Sequence, residues 1–287
     1  MTAVLKHELS NYFHSLTAYI FSAFLLAFVG IGAMLYNIQS AVANFEYVLS
    51  FVCLGFVVVI PILTMRVIAE ERKQKTDQLL YSLPIKTWEV VAGKYLALLL
   101  VFLVPLCIVS VYPLIFVRFG EVYLLTSYGS LLAFFILGAA LIAIGVFISS
   151  LTENQGFAAG IAIPVILLNY YSVSLAEHVS ATAFGSFVAL CVFAVLVGVV
   201  IRFLTKNENL AYGIGILLVL AVGIAYFLDS SKFEGLLPDI MTKLSLFERF
   251  YSFVNGVFDL TAIVYYVTVI IFFLFLSVQS LEKRRYN

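Results

Sequence analysis

Charged residues are scarce in this sequence: Lys and Arg number 16, Asp and Glu number 16, and together they make up 11% of 287 residues. A soluble domain carries about 25% charged residues. Because 63% of the residues are hydrophobic, the chain lacks the polar side chains that cover a water-soluble fold. The balance of the two signs excludes the basic surface that nucleic-acid binding needs. A polytopic membrane protein is the class that remains.

Several chemical signatures are missing as well. The three cysteines, Cys53, Cys107 and Cys191, are widely separated, which predicts neither a disulfide framework nor a metal site. No G-x-x-x-x-G-K-S/T pattern is present, so we expect ATP to be bound on another chain. The interiors of the apolar runs hold no acidic residue, which argues against an ion-coupled secondary transporter. We expect a non-catalytic chain without a cofactor of its own.

Long intervals free of charge mark the expected spans, because a helical span needs about 20 apolar residues. Uninterrupted runs of this length favour helices over the strands of a barrel. The sequence predicts an all-α polytopic bundle of about eight spans, or six if the loop at Glu177 is re-entrant. The intervals are 9–45, 47–65, 95–117, 122–152, 154–176, 178–201, 209–228 and 260–281.

The distribution of the basic residues predicts the orientation of the chain in the membrane. With both termini inside, twelve of the 16 basic residues lie on the inner side, whereas the acids split eight and eight. Cytoplasmic loops of membrane proteins carry such an excess of Lys and Arg. We expect one transmembrane domain over 1–287, with an interfacial helix at 1–15, a cytoplasmic segment at 66–94 and an outer amphipathic segment at 229–258.

The segment 66–94 is the most charged stretch of the chain. Its pattern predicts one helix over 67–80 and another over roughly 83–91, capped by Ser82 and ended by Gly93. The second helix carries an apolar stripe outside the membrane. From the pattern alone this helix either lies on lipid headgroups, where Trp is common, or docks on a partner protein. The stripe consists of Ile85, Trp88 and Val91.

Two other groups of residues are candidates for function. After Pro238 the sequence predicts one amphipathic helix at the outer interface, with Leu244, Phe247 and Tyr251 on its apolar side. This helix is a candidate for gating an exit or for contacting an outer protein. Polar side chains also lie inside an expected span, where they form hydrogen bonds between helices or line a pathway for an amphipathic substrate. These are Asn169, Tyr170 and Tyr171.

The run Pro61–Ala97 carries a specific motif. It reads Pro-x-Leu-Thr-Met-Arg, then Ala-Glu-Glu, then Thr-x-x-Leu-Leu, Ser-x-Pro and Val-x-Gly-Lys. This run resembles the permease subunits of type-2 ABC exporters, and it is most similar to the branch associated with bacterial gliding-motility and copper-processing operons. Lys75 stands where this branch usually has Gly, and Gln78 where it usually has an acid. The matching residues are Pro61, Leu63, Thr64, Met65, Arg66, Ala69, Glu70, Glu71, Thr76, Leu79, Leu80, Ser82, Pro84, Val91, Gly93 and Lys94.

The resemblance implies a membrane permease that works with an ABC ATPase. It implies two ATPase copies with ATP and Mg bound on them, a second permease copy (the same chain or a related one), an extracytoplasmic auxiliary protein, and a bacterial cytoplasmic membrane. The short helix would be a coupling helix, braced at its base by an ion network of Arg66, Glu70, Glu71 and Arg72. The coupling residues would be Ser82, Leu83, Pro84, Ile85, Lys86, Trp88, Glu89 and Val91.

The alternative is a membrane component that moves no solute. It would transmit the motion of the ATPase to an extracytoplasmic partner through the outer helix. The apolar spans, which lack buried charge, suit lipids, apolar peptides or no solute at all.

Overall fold

The computed structural model describes residues 1–40, 42–76, 85–205 and 208–286. In these residues the regular secondary structure is helical, which confirms the all-α class. A π-helical turn over Ala33–Gln39 extends the second helix, and a 3₁₀ turn covers Ser230–Phe233. The α-helices are α1 Thr2–His14, α2 Leu16–Gly32, α3 Glu46–Thr64, α4 Ala69–Gln74, α5 Thr87–Val109, α6 Tyr112–Phe116, α7 Leu124–Leu151, α8 Gln155–Tyr170, α9 Ser172–His178, α10 Ala183–Thr205, α11 Glu208–Leu228, α12 Leu236–Leu244, α13 Leu246–Val254 and α14 Leu260–Tyr286.

The chain divides into two compact units. The first comprises Met1–Tyr170 and Leu246–Tyr286 and holds α1 to α8, α13 and α14. The second contains Tyr171–Ser245; in it α10 packs along α11, and the rings of Phe187 and Tyr226 lie 4.6 Å apart. A single transmembrane domain over the whole chain stays a prediction.

Five helical segments among the described residues are long and apolar enough to cross a membrane. A sixth is added if α8 and α9 form one broken span. The helices α10 and α11 contribute shorter apolar stretches, Ala183–Val199 and Tyr212–Leu228. A multi-pass helical membrane protein is therefore confirmed, but eight spans are not. The five are Leu16–Gln39, Glu46–Gln74, Thr87–Phe116, Leu124–Leu151 and Leu260–Arg284.

Side-chain caps fix the starts of α8 and α14. The Asn154 Oδ1 atom accepts a hydrogen bond of 2.9 Å from the Gly156 N–H at the start of α8. Asp259 accepts one of 2.8 Å from the Thr261 N–H at the start of α14. Such caps satisfy N–H groups that have no partner within the helix. The Thr261 hydroxyl also donates to Asp259, and this bond lowers the pKa of the Asp259 carboxyl.

The core of the first unit is organised around α7, which packs against α3, α5, α8, α13 and α14. The Phe134 ring of α7 lies 4.4 Å from the Phe56 ring of α3 and 6.1 Å from the Phe250 ring of α13. Phe102 of α5 joins the same cluster, 5.8 Å from Phe56. Because Phe250 is fully buried, one face of α13 packs into the core of the unit.

The segment 229–258 does not form the single amphipathic helix that the sequence predicts. The helix α12 ends at Leu244 and α13 begins at Leu246; Ser245 between them has extended backbone, with φ −64° and ψ 123°. Leu244 is exposed, whereas Phe247 is buried. The predicted apolar face is wrong, because its residues belong to two helices and only the second one packs into the core.

The charged segment 66–94 also differs from prediction. The continuous helix expected over 67–80 is wrong, because residues 65–68 form a turn and α4 ends at Gln74. Residues 77–80 of the predicted helix lie outside the described residues. Lys75 has φ 57° and ψ 20°, the left-handed conformation that commonly ends helices and that favours glycine. A lysine at this position is therefore strained, although the helix predicted over 67–80 runs through it.

The separate helix expected over roughly 83–91 is not present in the described residues. Residues 85 and 86 are not helical, and α5 runs from Thr87 through Gly93 to Val109 without a break. Gly93 therefore does not end a helix. Ser82, Leu83 and Pro84 lie outside the described residues.

Replacing Lys75 by glycine is expected to stabilise the protein by about 1 kcal/mol, because glycine carries no Cβ penalty in the left-handed region. Thermal unfolding of the purified chain in detergent measures the effect. Lys73→Gly is the matched control: it places glycine inside α4, where we expect a loss of roughly 0.5–1 kcal/mol. If the Lys75→Gly variant unfolds at a lower temperature than the parent, the backbone of Lys75 is not strained and the prediction is wrong.

Candidate functional site

A buried lysine links three elements of the first unit. The Lys94 ammonium, in the second turn of α5, lies 2.6 Å from Glu8 Oε1 of α1 and 2.6 Å from Glu71 Oε1 of α4. It also donates to the Val67 carbonyl oxygen at 3.1 Å. Lys94 is 1% exposed. All three N–H donors of the ammonium are therefore used, and we call Lys94, Glu8 and Glu71 the ion triad.

The ion triad carries two carboxylates for one ammonium. A buried charge is tolerated only when it is paired and hydrogen-bonded, and Lys94 meets both conditions. The Glu8 side chain is nearly buried, whereas the Glu71 side chain keeps 28% of its surface exposed. Because water reaches Glu71, it can solvate the excess negative charge. The triad thus binds α1, α4 and α5 together at one end of the unit.

Close backbone approach supports the same junction. A Cβ atom on Gly93 would lie 3.0 Å from the Cγ1 atom and 3.1 Å from the Cβ atom of Val4. Only glycine lets α1 pack this closely on α5 without displacement of the Val4 side chain. The role of Gly93 is therefore in helix packing, one residue before the lysine of the ion triad.

A cleft of about 830 Å³ opens beside the ion triad. Arg66 lies in it and donates to the Thr17 hydroxyl over 3.4 Å. Tyr12 lies deeper, and burial together with the neighbouring carboxylates raises the pKa of its phenol, which therefore stays neutral. We call the region formed by α1, residues 65–76 and residues 85–94 the charged end of the unit. Further residues that line the cleft are His7, Glu8, Glu70, Glu71, Gln74 and Ile85.

The predicted coupling residues lie at the charged end in different environments. Ile85 lines the cleft and Trp88, in the first turn of α5, is 50% exposed. Lys86 is exposed, and its N–H donates to the Glu89 carboxylate over 3.4 Å, which caps α5. Val91 is buried in the core. The predicted stripe is therefore not one exposed face, because Val91 points away from solvent.

The four predicted brace residues do not all join one network in the described contacts. Glu71 belongs to the ion triad, and Arg66 bonds to Thr17. Glu70 accepts a hydrogen bond of 3.4 Å from Gln74. Arg72 is buried at the end of α4. Of the four, Glu71 contacts Lys94, a residue of the motif that is not among the predicted brace residues.

Within the first unit, the candidate pathway residues Asn169 and Tyr170 lie against the start of α13, which carries the predicted outer residue Phe247. Asn169 Oδ1 accepts a hydrogen bond of 3.0 Å from the Leu246 N–H, and the Tyr266 hydroxyl donates to the Leu246 carbonyl at 2.7 Å. The Tyr170 ring lies 5.0 Å from the ring of the buried Phe247. Asn169 therefore pins the start of α13, which is the helix-packing role. Tyr251 is partly buried against the core, and Tyr171 is exposed in the second unit.

Sequence reasoning misses Glu8 as a partner of Lys94. The available signal is helical spacing: Val4, Glu8 and Tyr12 recur every four residues and form the buried face of α1. An acid on the buried face of a helix needs a cation. Which cation it meets depends on how α1 packs on α5, and that contact spans 86 positions of the sequence.

Comparison with known proteins gives the family. The profile of the family described as ABC-2 family transporter protein matches residues 31–176, about half of the chain. The chain belongs to the ABC-2 transporter family. No curated protein and no solved structure matches it significantly. The match includes Lys94 and Glu71, whereas Glu8 lies before it.

Membership in the ABC-2 family makes this chain a permease component of an ABC transporter. Members of the family are membrane transport components and are generally non-catalytic. The family also implies a partner ATPase subunit. At the charged end of this ABC-2 permease, Trp88 is exposed and Ile85 lines the cleft.

Proposed function

We propose that this ABC-2 permease exports a substrate across a bacterial cytoplasmic membrane, driven by ATP hydrolysis on a separate ABC ATPase. The charged end and both termini face the cytoplasm in this proposal, because with the eight spans predicted from the sequence that orientation puts twelve of the 16 basic residues inside. The motif over 61–97 supports the gliding-motility and copper-processing branch. A complex of two permeases, identical or related, with two ATPase chains that bind ATP and Mg completes the proposed transporter.

The observation that carries the proposal is the junction at the charged end. Trp88 is half exposed, and Ile85, three residues before it, lines the cleft. Six residues after Trp88 on the same helix, Lys94 binds α1 and α4. A partner that pushes on Trp88 or on the cleft therefore displaces α5 directly, and α5 is one of the candidate spans. Rigid-body displacement of packed helices is an established way to transmit nucleotide-driven motion.

Trp88→Ala tests the docking surface. Truncating a buried interface Trp commonly costs about 2 kcal/mol or more, which corresponds to an affinity loss of roughly 30-fold. We expect this loss for binding of the ABC ATPase that co-purifies with the tagged chain, together with lower permease-stimulated ATP hydrolysis. Tyr123→Ala is the matched control, because Tyr123 is an exposed aromatic residue before α7, remote in sequence from the charged end.

Two outcomes contradict the assignment of this surface. One is unchanged ATPase binding and hydrolysis in both Trp88→Ala and Ile85→Asp. The other is an equal loss in the Tyr123→Ala control, which would indicate a general defect of the fold.

One observation favours the alternative in which no solute moves and the permease acts on an extracytoplasmic partner. Asn169 and Tyr170 are engaged in packing α13, so two of the candidate pathway residues have a structural role. Flux measured in vesicles that contain the complex separates the two functions. ATP-dependent movement of a lipid or an apolar peptide supports export, whereas ATP hydrolysis without flux, together with cross-linking to an outer protein, supports the alternative.

A further inference from the structure

The helix of the second span is interrupted between α3 and α4. Residues 65–68 form a turn there, and Ile68, just before α4, has φ −121° and ψ −38°. Such an interruption leaves backbone N–H and C=O groups without their helical partners. Val67, Ile68 and Ala69 are buried, so bulk water does not supply the missing bonds.

The hydroxyl of Ser149, on α7, is the hydrogen-bond partner of three of these backbone groups. Ser149 Oγ accepts hydrogen bonds of 3.2 Å from the Ile68 N–H and 3.2 Å from the Ala69 N–H. The same hydroxyl donates to the Met65 carbonyl oxygen over 3.3 Å. A serine hydroxyl has one hydrogen and two lone pairs, so its capacity is fully used on this interruption.

Lys94 holds the interruption from another side. Its ammonium donates a hydrogen bond of 3.1 Å to the Val67 carbonyl oxygen. The turn over 65–68 is thus fixed by one side chain of α5 and one side chain of α7. Because these contacts come from neighbouring helices, the path of the chain into α4 depends on both of them.

We propose that Ser149 is a positioning residue, which sets the direction in which α4 leaves the second span. It acts on the proposed coupling through the backbone of residues 65–69 and touches neither nucleotide nor substrate. This inference rests on the proposed function for its consequence, namely that a loosened α4 uncouples ATP hydrolysis from the permease. Its structural part, that Ser149 holds the backbone of residues 65–69, does not depend on the proposed function.

The neighbouring serine provides a matched control. Ser150 is also fully buried in α7, but its hydroxyl donates to the Phe147 carbonyl oxygen of its own helix at 2.7 Å. Ser149→Ala and Ser150→Ala therefore remove the same atom one residue apart. The first removes the bonds to the interruption, and the second removes a bond within α7.

Hydrogen–deuterium exchange of the full chain in lipid nanodiscs tests the structural part. We expect the amides of Ile68 and Ala69 to exchange about tenfold faster, or more, in Ser149→Ala, because each loses its acceptor. In Ser150→Ala these two amides are expected to keep the parental rate. Equal rates at Ile68 and Ala69 in Ser149→Ala and the parent overturn the inference, whatever the function of the protein.

The coupling part is measured on the complex with the co-purifying ABC ATPase. We expect Ser149→Ala to retain ATPase binding but to lower the stimulation of ATP hydrolysis by the permease severalfold, with Ser150→Ala near the parental value. Faster exchange with full stimulation overturns the positioning role. A parental chain that neither binds nor stimulates any ABC ATPase refutes the proposed function instead, and it leaves the exchange result intact.

Discussion

Replacing Lys94 by methionine is expected to destabilise the protein by about 3–5 kcal/mol, the usual cost of removing one partner from a buried ion pair. Methionine keeps much of the length of the side chain, so lost packing contributes little. The loss comes from Glu8, whose nearly buried carboxylate loses its cation, and from the Val67 carbonyl oxygen, which loses its donor. Thermal unfolding of the purified chain in detergent measures the change.

Two further variants make this prediction specific. Lys232→Met removes a lysine from an exposed pair with Asp229, 3.2 Å apart, and we expect the unfolding temperature to stay near the parental value, because water screens such a pair. In the double variant Lys94→Met/Glu8→Gln the orphaned charge on α1 is neutralised, and we expect part of the lost stability to return. A Lys94→Met variant as stable as the parent would show that the ion triad does not hold the three helices together.

Gly145→Ala is expected to have the next largest effect. A Cβ atom on Gly145 of α7 would lie 2.2 Å from Thr64 Oγ1 and 2.7 Å from Thr64 Cβ, at the end of α3. Such contacts are far below van der Waals separation, so the two helices must move apart. Overpacking of this kind costs about 1–3 kcal/mol, and thermal unfolding measures it.

Gly160→Ala on α8 is the control, because a Cβ atom there meets nothing within 4 Å. We expect it to be neutral or stabilising by up to about 1 kcal/mol, since alanine is the better helix former. The double variant Gly145→Ala/Thr64→Gly frees the space on the opposite helix, and it is expected to unfold at a higher temperature than Gly145→Ala alone. Additive losses in the double variant would contradict a direct clash.

The sequence predicts what depends on composition and on local pattern. Scarce charge marks the helical spans, and the motif over 61–97 points to the family that the comparison with known proteins then shows. The predicted helix at 1–15 forms as α1, although its place at a membrane surface stays a prediction. The charged segment 66–94 contributes Glu71 and Lys94 to the ion triad and several residues to the lining of the cleft, while its coupling role stays a prediction.

The errors come from contacts between residues that are distant in the sequence. Gly93 looks like a helix terminator, but it is a point where Val4 packs closely. The segment after Pro238 has the spacing of one amphipathic helix, yet it breaks at Ser245. Its second part is held by Asn169 and Tyr266, which bond to the backbone of Leu246. Helical periodicity contains no information about these partners.

The buried ammonium of Lys94, whose three N–H donors are all used, constrains how this part of the protein can change in evolution. Glu8 and Lys94 are 86 positions apart. Loss of Lys94 alone leaves the nearly buried Glu8 carboxylate without its cation, whereas loss of Glu8 alone leaves Lys94 paired with Glu71. We therefore expect relatives that lack a cation at position 94 to lack an acid at position 8 as well. The same constraint makes an α1 with an acid at position 8 unproductive in a family member that has no cation at position 94.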